Sequence, residues 1–78
     1  MLTAWAITQN GNIDLRRMHA NRRILMIGWL VEHGHIKYGV EQYVPPTELQ
    51  AQNQFDFHRA GTGTDVVEIV VTKRYDNG

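Results

Sequence analysis

The side chains with the most chemical potential in this 78-residue sequence are arginines and histidines. Arg16, Arg17, Arg22 and Arg23 put four of the eight basic residues into an eight-residue window that holds no acid. The rest of the chain carries four bases and eight acids, so a net charge of zero hides a segment of +4 against a remainder of −4. A planar guanidinium forks onto carboxylate or phosphate, so such a cluster suits an acidic protein surface or a phosphate. The bland reading is that the four are solvated, or pair with Asp14, Glu32 or Glu48 within the fold. Nucleic-acid binding is the second functional reading rather than the first. The pI is near 6.9, and neither a domain-wide basic excess nor a stacking-aromatic motif, a glycine-rich phosphate loop or a zinc finger accompanies the arginines.

His19, His33, His35 and His58 invite a metal reading, since the His33-Gly34-His35 step offers two imidazoles. No H-E-x-x-H pattern or cysteine completes a site, and His33 reads more simply as a helix-end residue meeting the carbonyl dipoles. No metal or cofactor is expected. Enzyme chemistry is disfavoured as well, because the chain has neither serine nor cysteine. Thr62 and Thr64 sit in a glycine loop that reads as a turn. Asp56 and Asp65 lie close enough in sequence to meet across that loop, yet nothing in the spacing fixes their separation.

The elements that must position these groups are legible in outline. Leu2–Ile7, the turn residues Gln9-Asn10-Gly11-Asn12 and Ile13-Asp14-Leu15 predict a β-hairpin over residues 2–15. From about Ala20 to His33, Ala20, Ile24, Ile27 and Val31 recur at the spacing of one helical face, with His19 or Asn21 as cap and Gly34 at the left-handed C-terminal position. The four arginines would then flank the N-terminus of this helix, where free N–H groups already favour an anion. Gly28 inside the helix suggests a close backbone contact. Leu25, Met26 and Trp29 lie off the main stripe, so the helix is either covered on two sides or shows an apolar face to a partner. On the second reading Met26 and Trp29 are interface anchors.

His35–Tyr38 alternates like a short strand, Val40–Val44 is ambiguous, and Pro45-Pro46 breaks the chain. A second helix is expected from Thr47-Glu48 to about His58, with Leu49, Ala51 and Phe55 inward, although Phe55-Asp56-Phe57 also alternates like a strand. Val66–Thr72 is the strongest strand, expected at the centre of the sheet with Val67, Ile69 and Val71 facing the helices. Together these predict one α+β domain spanning residues 1–78: a small antiparallel or mixed sheet, built from the N-terminal hairpin and the C-terminal strand, packed on one face by two helices.

Size and composition bound the rest. At 9.0 kDa the chain buries roughly 60% of its unfolded surface, too little for a deep cleft, and no disulfide or thiolate zinc can reinforce it. Self-association is therefore a plausible source of added stability. The longest apolar run, Ile24–Val31, is far short of the ~20 residues that cross a bilayer. Met1–Ile7 lacks the basic start of an export signal, so a cytoplasmic location is expected.

Trp5-Ala6-Ile7, Asn10–Arg16, Arg22-Arg23 and Trp29-Leu30-Val31 resemble the start of short uncharacterised proteins encoded by bacteriophages and prophages. The resemblance covers residues 5–31 and implies a bacterial cytoplasm and an accessory role, often the binding of a host protein. The expectation is thus a non-enzymatic protein-binding module using Arg16, Arg17, Arg22, Arg23, Met26 and Trp29. A phosphate-contacting nucleic-acid binder and a structural homo-oligomer are the alternatives.

Overall fold

The computed structural model describes residues 2–37 and 44–72. Two strands, β1 (Leu2–Gln9) and β2 (Asn12–His19), form the hairpin. Asn10 (φ 52°) and Gly11 (φ 83°) make its two-residue turn, in which only residues tolerant of positive φ match the twist of the flanking strands. Helix α1 (Arg22–Glu32) and helix α2 (Glu48–Arg59) follow, and β3 (Thr64–Val71) closes the order β1-β2-α1-α2-β3.

Both helix boundaries follow local chemistry. The Asn21 side chain caps α1 by accepting from the Ile24 N–H at 3.0 Å. His19 stabilises that cap from behind, its Nδ1 accepting from the Asn21 N–H at 2.8 Å. At the other end Gly34 (φ 75°) turns the chain left-handed. The Gly34 N–H then reaches the Val31 carbonyl and the His35 N–H the Leu30 carbonyl, which satisfies two of the free carbonyls of the last turn. In α2 the Thr47 hydroxyl accepts from the Gln50 N–H at 3.1 Å, with Glu48 in the first turn and His58 and Arg59 in the last, complementary to the helix dipole.

The sheet is antiparallel in the order β2-β1-β3, so β1 is central and β3 lies at an edge. This corrects the expectation of a central last strand: continuous β-branched apolarity marks a strand with two apolar sides, and an edge strand can have both. The β1–β3 ladder is unbroken over eight residue pairs from Leu2↔Val71 to Gln9↔Thr64. The β1–β2 ladder is broken between Ala6 and Thr8, where Asp14, Leu15, Arg16 and Arg17 bulge between the paired Ile13 and Met18. Residues 35–37 form no strand, contrary to expectation. Tyr38 and Val40–Tyr43 lie outside the described residues.

The core gathers on one side of the sheet: Ile7 from β1, Leu25, Met26, Ile27, Trp29 and Leu30 from α1, Ile36, and Ala51 and Phe55 from α2, with Trp5, Val31, Val44 and Val66 packed against it. Helix α1 lies between the sheet and α2, so apolar residues wrap most of its circumference and the stripe read from sequence is rotated. Ile24 is 45% exposed, whereas Met26 and Leu30 are fully covered. Of the inward residues expected in α2, Ala51 and Phe55 are sealed but Leu49 is 69% exposed. Leu49 stands two positions before Ala51, which turns it about 200° away from the buried side.

Two glycines show opposite constraints. Gly28 has open space where a Cβ would sit, so the expected close contact is absent and glycine there only weakens the helix. Gly63 (φ 76°) accepts from the Asn10 N–H at 2.8 Å, and a Cβ would fall 2.1 Å from the Asn10 Oδ1. Gly28→Ala should therefore stabilise the fold by about 1 kcal/mol. Gly63→Ala should destabilise it by roughly 1–2 kcal/mol from backbone handedness alone. Urea unfolding followed by tryptophan fluorescence reads both signs.

Candidate functional site

The four arginines of the sequence divide between two elements and have separate partners. Arg16 and Arg17 lie on β2 rather than at the helix start, because the strand continues to His19. The Arg16 Nε stands 3.3 Å from the Asp14 Oδ1, and Arg17 binds Asp14 at 3.1 Å and Glu32 of α1. Arg22 and Arg23 open α1. Arg22 pairs with Glu48 at 3.3 Å and lies over the Trp5 ring at 5.3 Å, while the Arg23 Nε donates to the Pro45 carbonyl at 2.9 Å. Each guanidinium is thus engaged by its own neighbours. Arg17 ties β2 to the end of α1, Arg22 ties the start of α1 to that of α2, and Arg23 fastens the segment before α2. The pairing with Arg16, through its backbone N–H and then its side chain, holds the Asp14 carboxyl below the usual range, opposed by partial desolvation.

Met26 and Trp29 are buried, at 0% and 4% exposure, and cannot anchor a partner from those positions. The reason is α2: Phe55 meets the Trp29 ring edge-on at 5.1 Å and closes the side of α1 that the sheet leaves open. The edge of Trp29 does reach a groove of about 250 Å3 between α1 and β2, which Arg16, Arg17, Ile24 and Gly28 also line. Arg22, Arg23 and Met26 have no part in it.

Three of the four histidines, His33, His35 and His58, form a stack. His33 lies 4.5 Å from the Trp29 ring and His35 5.5 Å from it. His35 and His58 are face to face at 4.0 Å, so the stack joins the C-terminal ends of both helices. Parallel rings send their lone pairs side by side rather than to one point. Among the described residues no group of three His, Asp or Glu side chains could hold a metal ion. Asp56 and Asp65 do flank one residue, Arg59, at 3.2 and 3.9 Å, an ion pair across the loop. The Thr62 hydroxyl accepts from the Thr64 N–H and donates to the Arg59 carbonyl, which makes it a turn residue.

The feature that sequence reading placed on the wrong side is the sheet. Residues directly opposite in an antiparallel ladder share a face. Ile7 pairs with Val66, and both meet the helices. Leu2, Ala4 and Ala6 pair with Val71, Ile69 and Val67, so these six define the other face. Val67, Ile69 and Val71 therefore point away from the helices, the reverse of the expectation. Thr8 continues the row and stands opposite Ile13 of β2. No helix of the described residues crosses this face, since α1 and α2 share the core on the other side. Val67, Ile69 and Val71 are partly buried, Ala6 and Thr8 of the central strand are buried, and Leu2 at the end of the row is 67% exposed. The available signal was that β3 is apolar at odd and even positions alike.

The histidine stack carries a pH dependence. Desolvation lowers the His35 pKa below its ordinary 6.5, and repulsion from His58 and then His33 lowers it further. The folded state thus binds the proton less well than the unfolded chain. The stability this preserves is complete above pH 6.5 and is lost as pH falls through the folded-state pKa. Thermal unfolding should show a lower Tm at pH 5 than at pH 7.5, and His35→Gln should flatten that difference. Comparisons with protein-family models, curated proteins and solved structures find no match to this chain.

Proposed function

We propose that this chain is a small non-enzymatic protein-binding module that engages another polypeptide through the uncovered apolar face of its sheet. One observation carries the reading: Leu2, Ala4, Val67, Ile69 and Val71 share a face that no described helix covers. Leu2 is 67% exposed at one end of this face and Ala4, Val67, Ile69 and Val71 are partly exposed beside it, an apolar surface of the kind that marks a contact. The arginines support the module differently from the sequence expectation. They are engaged within the fold, so the apolar face supplies binding, and exposed Arg16 contributes at most steering from the bulged strand. The resemblance of residues 5–31 to phage and prophage proteins favours a bacterial host protein as the partner, in the cytoplasm.

The test is affinity capture from a bacterial lysate with three forms of the protein, each checked for folding by circular dichroism. Ala4→Lys places a charge in the middle of the open face and should reduce recovery of a captured partner about tenfold or more. Arg16→Ala should leave recovery within about twofold, as expected for a rim charge of small worth. Loss with Arg16→Ala and retention with Ala4→Lys would refute the reading. So would tight binding of a labelled DNA duplex that weakens steeply with salt, which would move the function to phosphate contact.

A further inference from the structure

The two edges of the sheet are unlike. On β2 the ladder is interrupted by a bulge, and the bulge carries Asp14, Arg16 and Arg17. A bulged, charged edge of this kind resists pairing with another chain. Strand β3 has no bulge: it pairs with β1 without interruption, holds neither proline nor lysine, and carries only Asp65 and Glu68 as charges.

The hydrogen-bond phase of β3 shows which of its groups face outward. The Asn10 N–H donates to the Gly63 carbonyl at 2.8 Å, continuing the β1–β3 ladder, so odd-numbered residues bond inward and even-numbered ones face out. The first outward groups are satisfied by side chains. The Thr64 carbonyl accepts from the Arg59 guanidinium at 3.1 Å, and the Val66 N–H donates to the Asp65 carboxylate at 2.8 Å. Beyond them, the outward N–H and C=O groups of Glu68 and Val70 have no partner among the described residues. The edge is thus closed at its start and open over its second half.

We propose that this open edge pairs with β3 of a second copy of the chain, antiparallel and centred on Ile69, to give a continuous six-stranded sheet. The register follows from side-chain chemistry. Centred on Glu68, the strands would set two carboxylates directly opposite each other, which is destabilising. Centred on Val67, they would set Asp65 against Ile69. Centred on Ile69, they put Ile69 against itself and Val67 against Val71, with Glu68 opposite Val70, and Glu68 and Val70 supply the bonding pairs. A net charge of zero leaves little repulsion between the copies. Edge pairing over so few residues buries little area, so the dimer is weak and forms at high concentration. The contact is independent of the proposed partner site, since it uses the edge and leaves the apolar face open and doubled.

The full chain contains no cysteine, so single cysteines report cleanly. In this register Ile69 and its copy form a non-hydrogen-bonded pair with Cα atoms about 4.5 Å apart, within disulfide reach. Mild oxidation of Ile69→Cys should yield a crosslinked dimer. Val67→Cys should not, because the register separates the two copies of residue 67 by roughly 13 Å. Sedimentation from about 10 µM to 1 mM should show the parent mass doubling. Val70→Pro removes an outward N–H that β1 does not use, and should keep the circular dichroism spectrum and lose the doubling. Ala4→Lys should still dimerise, so failure of the partner site and failure of the edge are distinguishable. A parent that stays monomeric at 1 mM, or equal crosslinking at residues 67 and 69, as stacked faces would give, overturns the proposal.

Discussion

The structure depends on the two-sided burial of α1. A chain of this size has enough apolar material for one core, and it is gathered around this single helix, with Ile7 and the sheet on one side and Ala51 and Phe55 of α2 on the other. Burial on that scale is the main favourable term in a small domain, since each large side chain removed from water contributes about 1.5–3 kcal/mol. The consequence is structural economy. Both helices are used on one face of the sheet, and no described helix is left for the other.

That arrangement explains the arginines. Helices and strands meeting at a compact core leave charged residues at their junctions, where Arg17 spans β2 and α1 and Arg22 spans α1 and α2. Paired in this way they fix how the elements meet, each exposed pair contributing at most about 1 kcal/mol. Arg22 also covers Trp5 with its planar head, adding a cation–π contact that a lysine would make less well. A charge asymmetry that looks like a binding signal in one dimension is, in three, a set of clasps.

The open side of the sheet and the open edge have a common origin in this economy. A three-stranded sheet has two faces and two edges, and short chains leave some of them for other molecules to cover. Here one edge is guarded by a charged bulge, and α1 covers one face over β1 and β2. What remains is an apolar face flanked by one regular edge strand, and both remnants are built from β3. The histidine stack is a separate matter: it joins the helix ends and makes the helical layer sensitive to acid, while no histidine belongs to the open face.

Local signals were legible in the sequence. Asn10-Gly11 gave the turn, Gly34 the helix stop, Thr47-Glu48 the start of α2, and the β-branched run gave β3, because each depends on backbone preferences within a few residues. The fold class followed from the order of those elements, and it is the antiparallel, one-sided α+β arrangement. What the sequence left open was direction. Periodicity shows that α1 is apolar nearly all round but not that Met26 is sealed in the core and Trp29 meets α2, and it shows that β3 is apolar on both sides but not which side meets the helices. Those choices rest on contacts between residues far apart in the chain, Ile7 with Val66 and Trp29 with Phe55. Only the packed structure decided them, because a side chain's partner is set by the register and crossing of whole elements rather than by its neighbours in sequence.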